Sequence, residues 1–467
     1  MSSSMSAISE TLRSPATKLV LICILIVLLL VPLLMVMGLV AERAGRAQSV
    51  RNEISRYWGG PQHITGPFLV VPYLVRTEAI QGDKRIEQTV ERKAIFLPDE
   101  LSIGGKSRAE VLHRSIYDVN VYTSGLTLEG RFLTPDMAEV DPNAFSVRWN
   151  DAFISLAVGG ITGLKDSVVL ELDGTRKVPF SPSIGLAASN QNGIHARLAE
   201  ASAAASSAGE PLRPFSFRIA LSITGSSSLM FAPGARETRV ALQSDWPHPS
   251  FSGAFLPAER KVSASGFEAS WKVPHLARSV PNAWSLGDGG LERLSPYLFG
   301  VDFYAPVDFY DLVSRAVKYA VLFLALGFMG VFVLELLSEK RVHPVQYLFT
   351  GIAMVFFYVL LLSLCEHIGF GMAYLAASVA TGSMLSLYVG KALSSRTSGA
   401  LMLLLFLAVY GFLYFVLQLE DYALLAGALL GFAALSAVMF STLHIDWSRG
   451  MTGSGRADEG DLTSEPV

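Results

Sequence analysis

Cysteine is nearly missing from this chain of 467 residues, which has two, Cys23 and Cys365. Both fall in apolar runs, so no disulfide framework braces the polar middle of the sequence or reports its compartment. Charge is scarce too: 16% of residues are charged and 51% hydrophobic, where a soluble chain carries about 25% charged residues. The composition predicts a membrane protein. A net charge of −3 offers no basic face and excludes nucleic acid as the expected partner. Chemical signatures are equally thin. H-E-x-x-H, C-x-x-C and G-x-S-x-G are absent, which removes the usual zinc-protease, thiol and esterase motifs. Gly163-Leu164-Lys165-Asp166 separates the glycine from the lysine and lacks the following hydroxyl, so it predicts no phosphate loop. His63, His113, His195, His248 and His275 stand singly without metal-ligand spacing. We therefore expect no enzyme, no cofactor and no metal.

What the chain has is long apolar runs. Leu19–Ala41 holds no charged residue and, at about 1.5 Å per residue, covers the roughly 30 Å hydrocarbon core. It is longer than the apolar region of a cleaved signal peptide and predicts a signal anchor. Five more runs follow at 319–337, 344–364, 372–390, 397–419 and 422–443. Six spans place both termini, residues 1–18 and 444–467, on one side. The second run is the least clean, because only 16 residues separate Lys318 from Glu335, which must lie near the interface or snorkel to it. Arg13, Lys18, Lys340, Arg341, Lys391, Arg396 and Arg449 fall on one side, and Glu366-His367 and Glu420-Asp421 on the other. That bias predicts cytoplasmic termini and an extracytoplasmic domain at 42–318. Arg43 and Arg46 run against it, in a segment that leads into a translocated domain too long to count.

The inserted segment is different in kind, with 58 charged residues against 9 in residues 319–443. Ala47, Val50, Ile54 and Tyr57 recur at helical spacing, so span one should continue as an amphipathic stalk until Gly59-Gly60-Pro61 stops it. From Pro67 onward the period changes to two. Strands are predicted at 68–71, 93–96, 116–121, 126–132, 145–156, 168–172, 215–223, 239–242 and 267–273. Short strands with Gly, Pro and Ser turns suggest an antiparallel sandwich, or two packed β-subdomains. The Ala/Ser-rich stretch 199–209 reads as a loop or linker. The expected fold class is α+β: one N-terminal and five C-terminal transmembrane helices, with a β-rich, sandwich-like domain between the first and second.

Three places draw functional interest. Glu366 and His367 join spans three and four, either as a proton-sensitive pair opening a path or as interfacial residues of a hairpin. Gly427 and Gly431 have small-xxx-small spacing and read as helix packing. Val-Asp-Phe-Tyr occurs twice, at 301–304 and 307–310, just before span two. Asp302, Tyr304, Pro306, Asp308, Tyr310, Arg315 and Lys318 form either an aromatic anchor at the membrane surface or a coupling element, with Asp308 and Arg315 as candidate partners.

The chain resembles the CreD family of inner-membrane proteins. The resemblance rests on Glu53-Ile54-Ser55 with Gly66-Pro67, Trp246-Pro247-His248-Pro249-Ser250-Phe251 followed by Phe255-Leu256-Pro257, and Ser265-Gly266-Phe267. It continues in Pro306-Val307-Asp308 through Lys318-Tyr319, His343-Pro344-Val345-Gln346-Tyr347, Ser363 with Glu366-His367, and His444-Ile445-Asp446-Trp447. It is loose over 186–214 and stops after Trp447. It implies a bacterial inner-membrane protein tied to envelope integrity and to a two-component system that alters sensitivity to cell-wall antibiotics and colicins, with the β-rich domain in the periplasm. It supplies no catalytic residues. The expected function is a non-enzymatic envelope protein whose periplasmic domain binds or senses an unidentified envelope protein, cell-wall component or lipid. The alternative is a transporter or lipid-handling protein with that domain as gate.

Overall fold

The computed structural model describes residues 15–81, 84–186, 191–201, 210–303, 308–338, 340–419 and 423–442. Internal contacts divide the chain into two units, Ala47–Pro306 and Met1–Arg46 with Val307–Val467.

In the first unit, two sheets of ten and eight strands turn their apolar faces together. Ile64, Leu69, Val71 and Tyr73 of one share a buried cluster with Leu101, Ile103, Leu126 and Leu128 of the other. Strand Phe215–Ser226 shows the reason: Phe215, Phe217, Ile219 and Leu221 are buried while the residues between them are exposed, the period of two that gives a sheet one apolar face. The sheets are mixed rather than antiparallel. Gln62–Ile64 runs parallel to Leu229–Phe231, and Glu237–Ser244 parallel to Glu100–Ser107. Parallel neighbours need a long crossover, which alternation within single strands does not reveal.

Two predicted strands merge into Tyr117–Phe132. The predicted strand 145–156 is broken by a 3-10 turn at Trp149–Asp151 that buries Trp149, leaving strands Ala144–Val147 and Phe153–Val158. Strand Glu100–Arg114, not expected, pairs along its whole length with Tyr117–Phe132. Of the Ala/Ser-rich stretch, 202–209 lies outside the described residues.

Helix α1 (Pro15–Tyr57) ends where the glycines require. Gly59 and Gly60 have φ of +87° and +67°, and the Gly60 N–H donates to Ser55 O at 2.7 Å, a left-handed ending that favours glycine. Its last turns pack Val50, Ile54 and Trp58 against Val119 and Val121, with Arg114 and Glu53 paired at 3.0 Å. Tyr57, expected on this face, is 75% exposed. The helix stops there, and Trp58 fills the place instead. Buried Gln62 ties this corner together: its amide donates to Gly59 O at 2.9 Å and Thr224 O at 3.0 Å, and its carbonyl accepts from Gly160 N at 3.2 Å.

The second unit is helical. After the first part of α1 come α2 (Phe309–Lys318), α3 (Ala320–Leu336), α4 (Pro344–Ile368), α5 (Phe370–Ala392), α6 (Arg396–Gln418) and α7 (Ala423–Thr442). Among the described residues four helices are long and apolar enough to cross a membrane, and α2 with α3, bent by 50°, make a fifth. The bend falls at a change of composition. Asp311, Arg315 and Lys318 charge α2, whereas α3 carries only Glu335.

Gln62→Leu keeps the volume and strands the carbonyls of Gly59 and Thr224 and the N–H of Gly160. It should destabilise the β-rich unit by about 2 kcal/mol. Denaturant unfolding of the full chain followed by tryptophan fluorescence reads this directly, since Trp58, Trp149, Trp246, Trp271 and Trp284 all lie in that unit and only Trp447 lies outside it.

Candidate functional site

Lipid is as apolar as leucine, so membrane helices are held to one another by close packing and polar contacts rather than by a hydrophobic drive. Helix α1 depends on both. Ile22, Leu25, Leu29, Leu33, Val36 and Val40 are buried, at spacings of three and four that set them on one face, while Ile24, Val27, Leu28, Val31 and Leu34 are exposed. Midway along the buried stripe, Leu29 and Phe328 occupy the space where a Cβ on Gly351 of α4 would stand.

Polar contacts close both ends of this packed stretch. At one end Lys18 pairs with Glu335, which is 6% exposed. Glu335 also accepts from the Tyr347 hydroxyl at 2.8 Å and from Val342 N at 2.9 Å. One buried carboxylate thus joins α1, the end of α3 and the start of α4. Protein donors take the place of water around it. At the other end Arg43 Nη1 lies 3.9 Å from Glu366 Oε2, and the Tyr310 hydroxyl donates to Glu366 Oε1 at 3.1 Å. The 25 steps along the helix from Lys18 to Arg43 rise about 37 Å, more than the roughly 30 Å hydrocarbon core. Both pairs therefore fit the edges of the apolar layer.

The sequence-predicted residues sort themselves around this second cluster. Asp308 caps α2, its carboxylate accepting from Tyr310 N at 3.1 Å, and Tyr310 is buried. Asp308, Tyr310 and Glu366 are thus brought together. Arg315 donates to Leu419 O at 2.7 Å, at the end of α6. Lys318 and His367 are exposed. Glu366 and His367 stand at the hairpin between α4 and α5. They occupy the last turn of α4, and Gly369 alone, at φ +75°, turns the chain into α5. Asp302 belongs to the β-rich unit, its backbone paired with Ser228 and Ser250, and Tyr304 and Pro306 lie outside the described residues. Sequence reasoning missed Arg43, Lys18 and Tyr347 as members of these clusters. The available signal was charge matching: each end of span one carries a cation, and the following helices offer an acid at the corresponding ends.

The β-rich unit carries a separate concave surface. Ser270, Ala241, Gly104, Thr127 and Ala220 lie side by side in register across five strands of the eight-stranded sheet. They floor a trough of about 1180 Å³, edged by Lys106, Lys261, Glu268 and Asp166. A row without one large side chain leaves the sheet backbone uncovered. Among the described residues no group of three or more His, Cys, Asp or Glu could hold a metal ion.

The two ion pairs should differ in weight. Breaking a buried pair strands its partner at a cost of about 3 kcal/mol, whereas an exposed pair is worth about 1 kcal/mol or less. Glu335→Gln should therefore lower the thermal stability of the detergent-solubilised chain well beyond Arg43→Met, whose side chain is 40% exposed. Equal losses would contradict this ranking.

Comparison with known proteins accords with this architecture. The family model described as Inner membrane protein CreD matches residues 14–448. A relative from Escherichia coli (strain K12), Inner membrane protein CreD, is 35% identical over 428 residues, covering 90% of this chain and 91% of its own length. A family match over nearly the whole chain and a relative at this identity establish the kinship. The chain is a multi-pass membrane protein and belongs to the CreD family of inner-membrane proteins.

Proposed function

We propose that this chain is a non-enzymatic protein of the bacterial inner membrane that supports cell-envelope integrity. In this reading six helices cross the membrane, both termini are cytoplasmic, and residues 42–318 stand in the periplasm as a binding or sensing module. The six are α1, the bent pair α2 and α3, and α4 to α7; α7 carries no ionisable side chain. Lys340, Arg341, Lys391 and Arg396 mark the cytoplasmic loops. Arg43, which runs against that bias, has an acidic partner in Glu366.

The observation that carries the reading is the double engagement of Glu366. Arg43 stands just before the chain enters the β-rich unit, and Tyr310 just after it returns; Glu366 of the bundle takes both. Any load or ordering transmitted along either connection meets the same carboxylate. The trough over Gly104 and Ala241 is the surface on which an envelope protein, cell-wall component or lipid binds. The resemblance read from the sequence motifs points to the same envelope role.

The test is complementation of a deletion strain, scored by survival on detergent and cell-wall antibiotics. A Cβ on Gly104 meets nothing within 4 Å, so Gly104→Trp fills the trough without straining the fold. Gly104→Trp and Glu366→Ala, each present at wild-type level, should both reduce survival at least tenfold. Full rescue by Gly104→Trp with failure of Glu366→Ala would displace this account in favour of a transporter or lipid-handling protein.

A further inference from the structure

A groove of about 460 Å³ runs between α4 and α5, apart from both polar clusters. Ala353, Ala380 and Thr381 form its floor, and Phe349, Phe356 and Tyr388 its walls. Phe349 and Phe356 are more than half exposed, as they would not be in a finished helix contact. The lining from Phe349 to Leu360 spans twelve residues, or about 16 Å along the helix. That is roughly half of the 30 Å hydrocarbon core, the depth of a single leaflet.

The charge pattern completes the fit. Lys391 follows Met384, another lining residue, by seven positions, which returns it to the same helix face within about 20°. It lies next to the last residue of α5, is exposed, and has no side-chain partner among the described residues. An apolar slot of leaflet depth therefore opens towards an unpaired ammonium at the membrane surface. A cation placed there draws anionic headgroups, while the slot itself excludes water.

We propose that this groove is a binding site for one anionic phospholipid, its acyl chain lying over Ala353 and Ala380 and its phosphate meeting Lys391. The site requires only that the helices are membrane-embedded, so it stands independently of the function proposed above.

Native mass spectrometry of the full-length, delipidated protein tests it by titration with dioleoylphosphatidylglycerol and, separately, dioleoylphosphatidylethanolamine. The wild type should retain one phosphatidylglycerol. Ala380→Phe, which fills the floor, should weaken both lipids at least tenfold. Lys391→Gln should weaken phosphatidylglycerol about fivefold and phosphatidylethanolamine, whose own ammonium already offsets its phosphate, by less than about twofold. Should Ala380→Phe fail to fold, Ala353→Leu fills the same floor. Wild-type binding by the filled variant, or an equal effect of Lys391→Gln on both lipids, overturns the site. A dimer that disappears with the filled variant would also overturn it, making a second copy the occupant.

Discussion

A helix that leaves lipid to pack against other helices exchanges one apolar contact for another, so something other than burial must decide where it stays. In this chain the problem is sharpest for the first span, because most of the β-rich unit's sequence separates it from the remaining helices. Close approach at Gly351 supplies dispersion. The ion pairs Lys18–Glu335 and Arg43–Glu366 supply register, since a slide of one helical turn would break both at once. Further polar groups gather around these acids. Tyr347 and Val342 complete the shell of Glu335, and Tyr310, placed by the Asp308 cap, completes that of Glu366.

The β-rich unit solves a comparable problem by different means. Its two sheets have a shared apolar core, so burial from water does most of the work. Polar specificity is confined to one corner, where Gln62 links the end of α1 to both sheets and Ser55 meets Ser226 at 2.5 Å.

Much of this was legible in the sequence. Long uncharged runs can be nothing but lipid-compatible helices, and Gly59-Gly60-Pro61 stops a helix wherever it falls. Alternation exposed most of the central strands, and the repeated Val-Asp-Phe-Tyr drew attention to Asp308 and Tyr310. Contacts between distant residues were not legible. Lys18 and Glu335 are 317 residues apart, and no local pattern announces such a pair. Strand Glu100–Arg114 was hidden because Gly104 and Gly105 interrupt its apolar alternation, yet the small residue at 104 is what opens the trough. The break at Trp149–Asp151 and the parallel pairings depend on tertiary packing that periodicity does not encode.

The central claim is that polar contacts at its two ends hold span one in register against α4. Pulsed electron paramagnetic resonance in liposomes measures this, with spin labels at Leu34→Cys and Phe356→Cys, both exposed, in a chain whose Cys23 and Cys365 are replaced by serine. The account predicts one narrow distance that becomes long and broad when Lys18→Met and Arg43→Met are combined. An unchanged distribution in that double variant would show that packing at Gly351 suffices, and would contradict the claim.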